Sequence, residues 1–416
     1  MKTTVSRASI FPLTVFGSAA VVIAYFDVVF TLGTRWLLLA GLALFLLSRA
    51  RLFLAFRTHL APAFIAWIGW VLLTTLWSEV PLLSFMKGAA LVVTVVPLIS
   101  GGIYWAQYAK PDDPLSYLAP LGALVLVASI FGLGSFRTIN GGIVIFEGLS
   151  ANANAFGTLI AISLPYPLHA AYRAGLHRAN WPRMAAWTGV ALALLLILLL
   201  TRSRTAAVLG LCIFLGFALV ALPRRTLVIA ALAGVALVGA AGAVPSLTER
   251  VISPVRQFLE KGHDEDVLFS RRELWRRSYD YAARGGIVGL GFGVSADSHM
   301  GFEGGSNTIG YAREKGNAQL ATVEETGLTG LAISLGLVLQ LFYFLISRTL
   351  ATGKRETRVA AGLLTAALAG VILQSLFEAW WTAPGSLQSI FFWSTAGVAI
   401  GILRHPRTEP LHPEPQ

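Results

Sequence analysis

The chain has 416 residues, of which 56% are hydrophobic and only 13% are charged. This composition is too apolar for a soluble globular protein, and it lacks the high charge of disordered chains and the many cysteines of disulfide-rich scaffolds. The formal net charge of +11 does not indicate nucleic acid as a partner, because the basic residues are spread between hydrophobic stretches and are not gathered on one face.

Hydrophobic stretches long enough to cross a bilayer recur along most of the chain. They predict about 12 transmembrane helices, near residues 10–30, 35–55, 60–77, 82–105, 116–135, 153–172, 183–200, 205–222, 226–245, 327–347, 359–377 and 386–403. The predicted fold class is therefore an all-α integral membrane protein. Residues 1–244 hold helices 1 to 9, residues 245–326 form one large loop with short helices, residues 327–403 hold helices 10 to 12, and residues 404–416 form a tail.

The distribution of lysine and arginine predicts the orientation, because cytoplasmic loops are enriched in both residues. With both termini in the cytoplasm, the basic segments at 49–57, 173–183 and 348–358 lie inside, and the short loops of the opposite face hold few basic residues. The first stretch is too long for a secretory signal and is interpreted as a retained anchor. The loop 245–326 then lies outside, where we expect the function.

Two basic clusters on the predicted outer face are typical of anion binding. In the first, TRSRT at 201–205, Ser203 is a predicted N-cap, so the amides that begin the next helix lie beside Arg204. Arg202 flanks the same helix start. The structural alternative is a snorkelling arginine that touches lipid phosphate.

The second basic cluster, SRRELWRRSYDYAARG at 270–285, predicts an amphipathic helix with Ser270 and Glu273 as a capping box and Gly285 as its stop. Arg271 lies on the face expected to pack against the protein or membrane, together with Leu274, Trp275 and Ser278. That placement favours an anionic partner. The other arginines fit a solvated or headgroup-facing side, and Arg272 among them is kept as a candidate substrate contact.

A third segment, YAREKGNAQLATVEET at 311–326, places Asn317 and Glu324 on one helical stripe. A carboxylate beside the membrane is costly unless it is paired or used, so Glu324 is a candidate general base and Glu325 its solvated neighbour. A structural salt bridge from Glu324 to a loop arginine is the alternative. Arg313 and Lys315 either complete the polar site or mark the membrane interface.

Three weaker candidates lie elsewhere on the predicted outer face. Glu378 stands beside Trp380 and Trp381, which fit an interfacial aromatic belt, although aromatic rings next to a carboxylate also suit sugars. Lys87 and Asn154 occupy predicted outer ends of helices. No cofactor or metal is expected. The glycine-rich GLGFG at 289–293 does not follow a strand, as a nucleotide-binding loop would. The histidines lack metal-ligand spacing, and the acids at 264–266 fit a solvated turn.

The order of these motifs resembles that of the bacterial O-antigen ligase and polymerase superfamily. The matching positions are 77–78, 150–154, 203–205, 271–275, 289–293 and 317–330. The resemblance implies a glycosyltransferase in the bacterial inner membrane that works on the periplasmic side with a glycan on undecaprenyl diphosphate as donor. The family arginines that bind the diphosphate fall on Arg204 and Arg271.

The resemblance also bears on the reaction. The ligases carry a histidine before the asparagine of the last motif, where this chain has Gly316, and this departure favours polymerisation of exopolysaccharide or O-antigen repeat units, with a chain-length co-polymerase as partner. Ligation to lipid A core is the alternative. We expect single displacement with inversion, using Glu324 or, second, Glu378 as base. A lipid-linked oligosaccharide transporter is disfavoured because the charges lie at helix ends, and a noncatalytic scaffold is a third possibility.

Overall fold

The computed structural model describes residues 33–109, 113–133, 135–139, 143–148, 152–176, 180–243, 253, 258, 269–295 and 315–404. Four features considered above lie outside these residues: the hydrophobic stretch at 10–30, the acidic run at 264–266, Arg313 and the tail after residue 404.

Helices make up nearly all of the described part. In chain order they are α1 (Gly33–Ser48), α2 (Ala61–Leu73), α3 (Pro81–Tyr104), α4 (Ala119–Phe131), α5 (Ala153–Ser163), α6 (Pro165–Gly175), α7 (Trp181–Leu200), α8 (Arg204–Ala221), α9 (Arg224–Ala243), α10 (Phe269–Gly285), α11 (Ala318–Ala351), α12 (Arg355–Gln374) and α13 (Leu387–Leu403). Proline occupies the first or second position of α2, α3, α4, α6 and α7, where its missing N–H has no intrahelical partner to lose.

Six helices in the described ranges are long and apolar enough to cross a membrane: Pro81–Gln107, Pro114–Phe131, Trp181–Leu200, Arg204–Ala221, Ala318–Ala351 and Arg355–Gln374. Shorter apolar helices lie at Arg35–Ser48, Ala61–Leu76 and Leu387–Leu403. The chain is therefore a helical membrane protein. The predicted count of twelve spans and the outer location of the long loop stay predictions.

Small residues let two pairs of helices approach closely. A Cβ atom on Gly102 of α3 would lie 2.5 Å from the backbone nitrogen of Val398 in α13, and one on Gly216 of α8 would lie 2.1 Å from the Cβ of Ala366 in α12. Lipid is as apolar as leucine, so membrane helices associate through close packing of this kind. These two contacts hold α3 on α13 and α8 on α12.

The fold is helical as predicted, and one unpredicted element, a two-stranded antiparallel sheet, follows α4. Strand β1 (Phe136–Ile139) pairs with β2 (Ile143–Phe146) in the register that sets Phe136 opposite Phe146. Aromatic and β-branched residues favour strands, and the intervening sequence Asn-Gly-Gly is typical of a hairpin turn. The hairpin lies between the predicted spans at 116–135 and 153–172, where no element was predicted.

Candidate active site at one end of the bundle

The start of α8 presents a cation beside a helix N-terminus. Ser203 is the N-cap, as predicted, and its hydroxyl accepts a hydrogen bond from the Ala206 amide at 3.4 Å. Ser203 is fully buried, so it supports the helix start more than it offers a contact to a ligand. Arg202 has φ 49°, a left-handed conformation that costs a non-glycine residue about 1–2 kcal/mol. Arg204, the first helical residue, is half-buried.

Helix α10 carries the second basic cluster and packs as predicted. Ser278 is buried, Leu274 and Trp275 are half-buried, and the Trp275 indole donates a hydrogen bond to the Gly316 carbonyl at 3.1 Å. Arg271 is half-buried on this side, whereas Arg272 is exposed. The packed face of α10 therefore fixes Arg271 next to the segment that leads into α11.

The sequence predicted the end of α10 correctly but not its start. The helix ends at Gly285 as predicted, but it begins at Phe269, so Ser270 does not precede it as a cap. The Glu273 carboxylate instead accepts hydrogen bonds from Arg276 and Arg277, and these bonds lower the pKa of Glu273 to about 2. Glu273 therefore forms salt bridges with the next turn of α10 and does not form the predicted capping box.

Arg204 and Arg271 come together although they belong to different parts of the sequence. The positive charge of Arg271 lies within electrostatic range of Arg204. Two positive charges within this range of each other attract anions more strongly than either does alone. The two arginines, with the first amides of α8, form a cationic site at the end of the bundle where α7 ends and α8 begins.

Helix α11 is broken near the residues that follow α10. Gly327 has φ 73°, outside the helical region, and a Cβ there would lie 2.1 Å from the Ile287 carbonyl oxygen. Backbone amides of the GLGFG turn fill the break: Leu290 donates to the Glu324 carbonyl and Gly291 to the Glu325 carbonyl, each at 3.0 Å. The glycine turn therefore satisfies the carbonyls of a broken helix and does not cradle a nucleotide.

A buried cluster of charges surrounds the break. Lys315 Nζ lies 3.2 Å from the Glu324 carboxylate and 2.6 Å from that of Glu325. Ser295 donates to Glu324 at 3.1 Å, and the Gly293 amide donates to Glu325 at 2.7 Å. The prediction that Glu325 is solvated is wrong, because its side chain is fully buried. Its charge is tolerated because a lysine and a backbone amide compensate for the lost water.

Lys87 extends this cluster toward α1. It lies in the second turn of α3 within electrostatic range of Glu325, Lys315 and Arg35, and Arg35 donates to the Gly385 carbonyl at 3.0 Å. Sequence analysis did not select Arg35. Its only signal was a basic residue in an outer loop, where positive charges are uncommon.

Glu378 lies on the segment after α12 and is half-buried. Gln388 donates to its carboxylate at 2.6 Å. The preceding residue, Phe377, stacks on Trp275 of α10 at 5.5 Å between ring centroids, and Asn317, the N-cap of α11, donates to the Leu376 carbonyl. These contacts tie the Glu378 segment to the helix that carries Arg271.

The tryptophans beside Glu378 do not form an interfacial belt. Trp380 and Trp381 are 3% and 7% exposed. Trp381 packs on Trp67 and Trp393 with ring centroids 5.2 Å apart in each pair. The hydrophobic gain from burying large rings between α2 and α13 explains this placement, which leaves the face of Trp381 closed to a sugar.

Two buried polar groups near Arg204 escaped the sequence analysis. Leu209 of α8 contacts Gly370 of α12, and Thr205 and Gln374 each lie about one turn from that contact. Among the described residues, neither Thr205 Oγ1 nor Gln374 Oε1 has a hydrogen-bond partner, although both atoms are buried. A glutamine inside an apolar span was the available signal. Asn154, at the start of α5 on the same side, is half-buried.

Fold and site together define a helical membrane protein with a cationic, partly buried site at one end of its bundle. Residues 189–335 match the family described as O-antigen ligase. This segment includes both arginines, the glycine turn and the broken helix, and the match confirms the resemblance to the O-antigen ligase and polymerase superfamily. The family carries out glycosyl transfer of the ligase or polymerase type. A comparison with curated proteins gives no match.

Proposed function

We propose that this protein transfers a glycan from undecaprenyl diphosphate to a sugar hydroxyl at the periplasmic face of a bacterial inner membrane. The proposal is supported by the placement of Arg204 at the start of α8, with the charge of Arg271 within electrostatic range. A diphosphate offers two adjacent negative groups, which matches two neighbouring guanidinium groups and a helix N-terminus. The predicted topology places this end of the bundle outside.

The leaving group sets what the site must supply. When the glycosidic bond to a lipid diphosphate breaks, negative charge develops on the departing phosphate. Preorganised cations stabilise that charge in the transition state, so neither a strong general acid nor a metal is required. Arg204 and Arg271 take this role, with Arg202 as a further candidate for a donor contact, whereas the buried pairing of Lys315 assigns it to the scaffold.

The acceptor hydroxyl needs a base, and burial reverses the order expected from sequence. Glu324 is 1% exposed and ion-paired with Lys315, so an acceptor reaches it only if that pair opens. Glu378 is half-buried and lies on the segment stacked against α10. We therefore take Glu378 as the base and Glu324 as part of the scaffold. Attack by the hydroxyl as the phosphate departs inverts the anomeric centre, and a product of retained configuration would contradict this step.

Polymerisation is proposed over ligation because of position 316. A Cβ on Gly316 would already lie 3.1 Å from the Leu274 Cβ, with Trp275 next to it, so the imidazole of the ligases would crowd the packed face of α10. The acceptor is then a second lipid-linked glycan, and a chain-length co-polymerase is a fitting partner.

One assay separates the candidate functions. Purified protein is incubated with synthetic undecaprenyl-diphosphate oligosaccharide, alone and with lipid A core, and the products are analysed by mass spectrometry. Lengthening of the lipid-linked chain supports the polymerase, and transfer to lipid A core supports the ligase. If neither product forms, the enzymatic proposal fails and a transporter or a scaffold takes its place.

A further inference from the structure

A polar cavity of about 330 Å³ lies at the end of the bundle opposite Arg204. Its lining includes Arg183, in the first turn of α7, and Arg204 follows the other end of the same helix. A 20-residue helix is about 30 Å long, which is roughly the thickness of the hydrocarbon core. The cavity therefore sits at the opposite membrane interface and has no part in the site described above.

A buried ion network forms the inner wall of the cavity. Asp113, 9% exposed, accepts a hydrogen bond from His169 Nδ1 at 3.1 Å and lies 3.5 Å from Arg173. Arg173 also pairs with Glu356 at the start of α12. The charge of Arg173 is thus engaged by two carboxylates, and it is not the group that would attract an anion.

The more accessible charges at the cavity are those of Arg183 and Glu356, and the Glu356 carboxylate also pairs with Arg173 through one of its oxygens. Arg183 is exposed, and it pairs with no carboxylate in the described part of the chain. Glu356 lines the same cavity with a side chain that is 45% exposed. Both belong to first turns of long helices, and neither α7 nor α12 has a side-chain N-cap.

An aromatic pair completes the lining. Tyr166 and Trp187 meet edge to face at 5.2 Å between ring centroids. Tyrosine and tryptophan are the residues that favour the headgroup level of a bilayer. A ligand that enters this cavity at the interface thus meets the exposed Arg183, the partly exposed Glu356 and an aromatic wall.

We propose that this cavity binds the headgroup of a zwitterionic phospholipid that carries a primary ammonium group, of the phosphatidylethanolamine class. The phosphate would lie at Arg183 and the uncapped start of α7, where a helix N-terminus favours an anion. The ammonium would donate to Glu356. Other headgroups fit less well. A headgroup that has a phosphate but no amine would place an anion near the Glu356 carboxylate, and a quaternary amine has no N–H to donate to it.

The test measures lipid retention by the full-length protein. The protein is reconstituted separately with phosphatidylethanolamine, phosphatidylcholine and phosphatidylglycerol of the same acyl chains, and retained lipid is counted by native mass spectrometry. We expect phosphatidylethanolamine to be retained best. Arg183→Gln should lower its retention about tenfold, the order expected for a lost charge-assisted hydrogen bond. Glu356→Gln should remove the preference over phosphatidylglycerol.

The matched control is Arg225→Gln. Arg225 is an exposed arginine in the first turn of α9, at the same end of the bundle and outside the cavity. Unchanged melting temperatures of Arg183→Gln and Arg225→Gln exclude loss of folding as the cause. Equal retention by these two variants, or equal retention of the three lipids, would overturn the proposal and leave only an annular lipid shell.

Discussion

Lys315 Nζ lies 2.6 Å from the Glu325 carboxylate and 3.2 Å from that of Glu324, and all three side chains are at most 1% exposed. One ammonium thus holds two adjacent carboxylates on the last turn before the break in α11. Because the Gly293 amide donates to the same Glu325, the cluster joins the glycine turn, the broken helix and the segment before α11 into one unit.

Replacing Lys315 should destabilise the fold. Lys315→Met leaves two buried carboxylates with less compensation, and breaking a buried pair costs about 3–5 kcal/mol. We expect a clearly lower melting temperature, measured by fluorescence-detected size exclusion. The control is Arg276→Gln, which removes an exposed contact to Glu273 and should leave the melting temperature nearly unchanged, because solvent screens such pairs. A Lys315→Met variant with the wild-type melting temperature would contradict the structural role of the cluster.

Glycine is required at the break in α11. Gly327→Ala puts a Cβ on a residue of φ 73° and 2.1 Å from the Ile287 carbonyl oxygen, so we expect a loss of about 1–3 kcal/mol. Gly336→Ala in the same helix meets nothing within 4 Å and should be neutral or stabilising by about 0.5–1 kcal/mol. Thermal melts of the two variants compare them directly. Equal stability would mean that α11 is continuous.

Glu378→Gln should abolish most activity without loss of fold. A positioned general base contributes about 10²–10⁴-fold to rate, so kcat should fall by that factor while donor affinity is kept. Glu324→Gln should instead lower the melting temperature, because Glu324 is buried against Lys315. Glu273→Gln, at an exposed site of the same end, serves as control. If Glu324→Gln lost activity at an unchanged melting temperature, Glu324 would be the base and the assignment of Glu378 would be wrong.

The network at the opposite end predicts a pH dependence. Burial raises the pKa of Asp113, but the hydrogen bond from His169, the His169 charge, the Leu115 amide and Arg173 outweigh it and hold this pKa below its usual 3.8. A lowered pKa stabilises the fold above the usual value, and this gain is lost as pH falls through the folded-state value. Asp113→Asn should therefore lower the melting temperature at pH 5, and the difference should shrink as the pH falls below 3.8. A difference that already vanishes at pH 5 would contradict this.

The helices and the basic face of the site were predictable because each depends on local pattern. Apolar stretches marked the spans, and the spacing of Arg271, Leu274 and Trp275 identified the packed face of α10. Ser203 was recognised as a cap from residue type alone. Each of these features is determined by residues that lie within one or two helical turns of one another.

The remaining features depend on contacts between distant segments. Glu325 was predicted to be solvated because the sequence does not show which groups contact it. Its partners are Lys315 and the Gly293 amide. Trp381 looked interfacial because its partners, Trp67 and Trp393, come from other helices. The hairpin was missed for another reason, since a window of helical length averages over short strands.

The most direct test of the proposed function is a double-mutant cycle on Arg204 and Arg271 with turnover of the lipid-diphosphate donor as readout. Each alanine variant should lower kcat about 10²–10³-fold, and the double variant should lose less than the product of the two, because both side chains act on one diphosphate. Arg276→Ala, an exposed arginine on the same helix as Arg271, should keep wild-type activity. Full activity of Arg204→Ala, or losses that multiply independently, would contradict a shared diphosphate site.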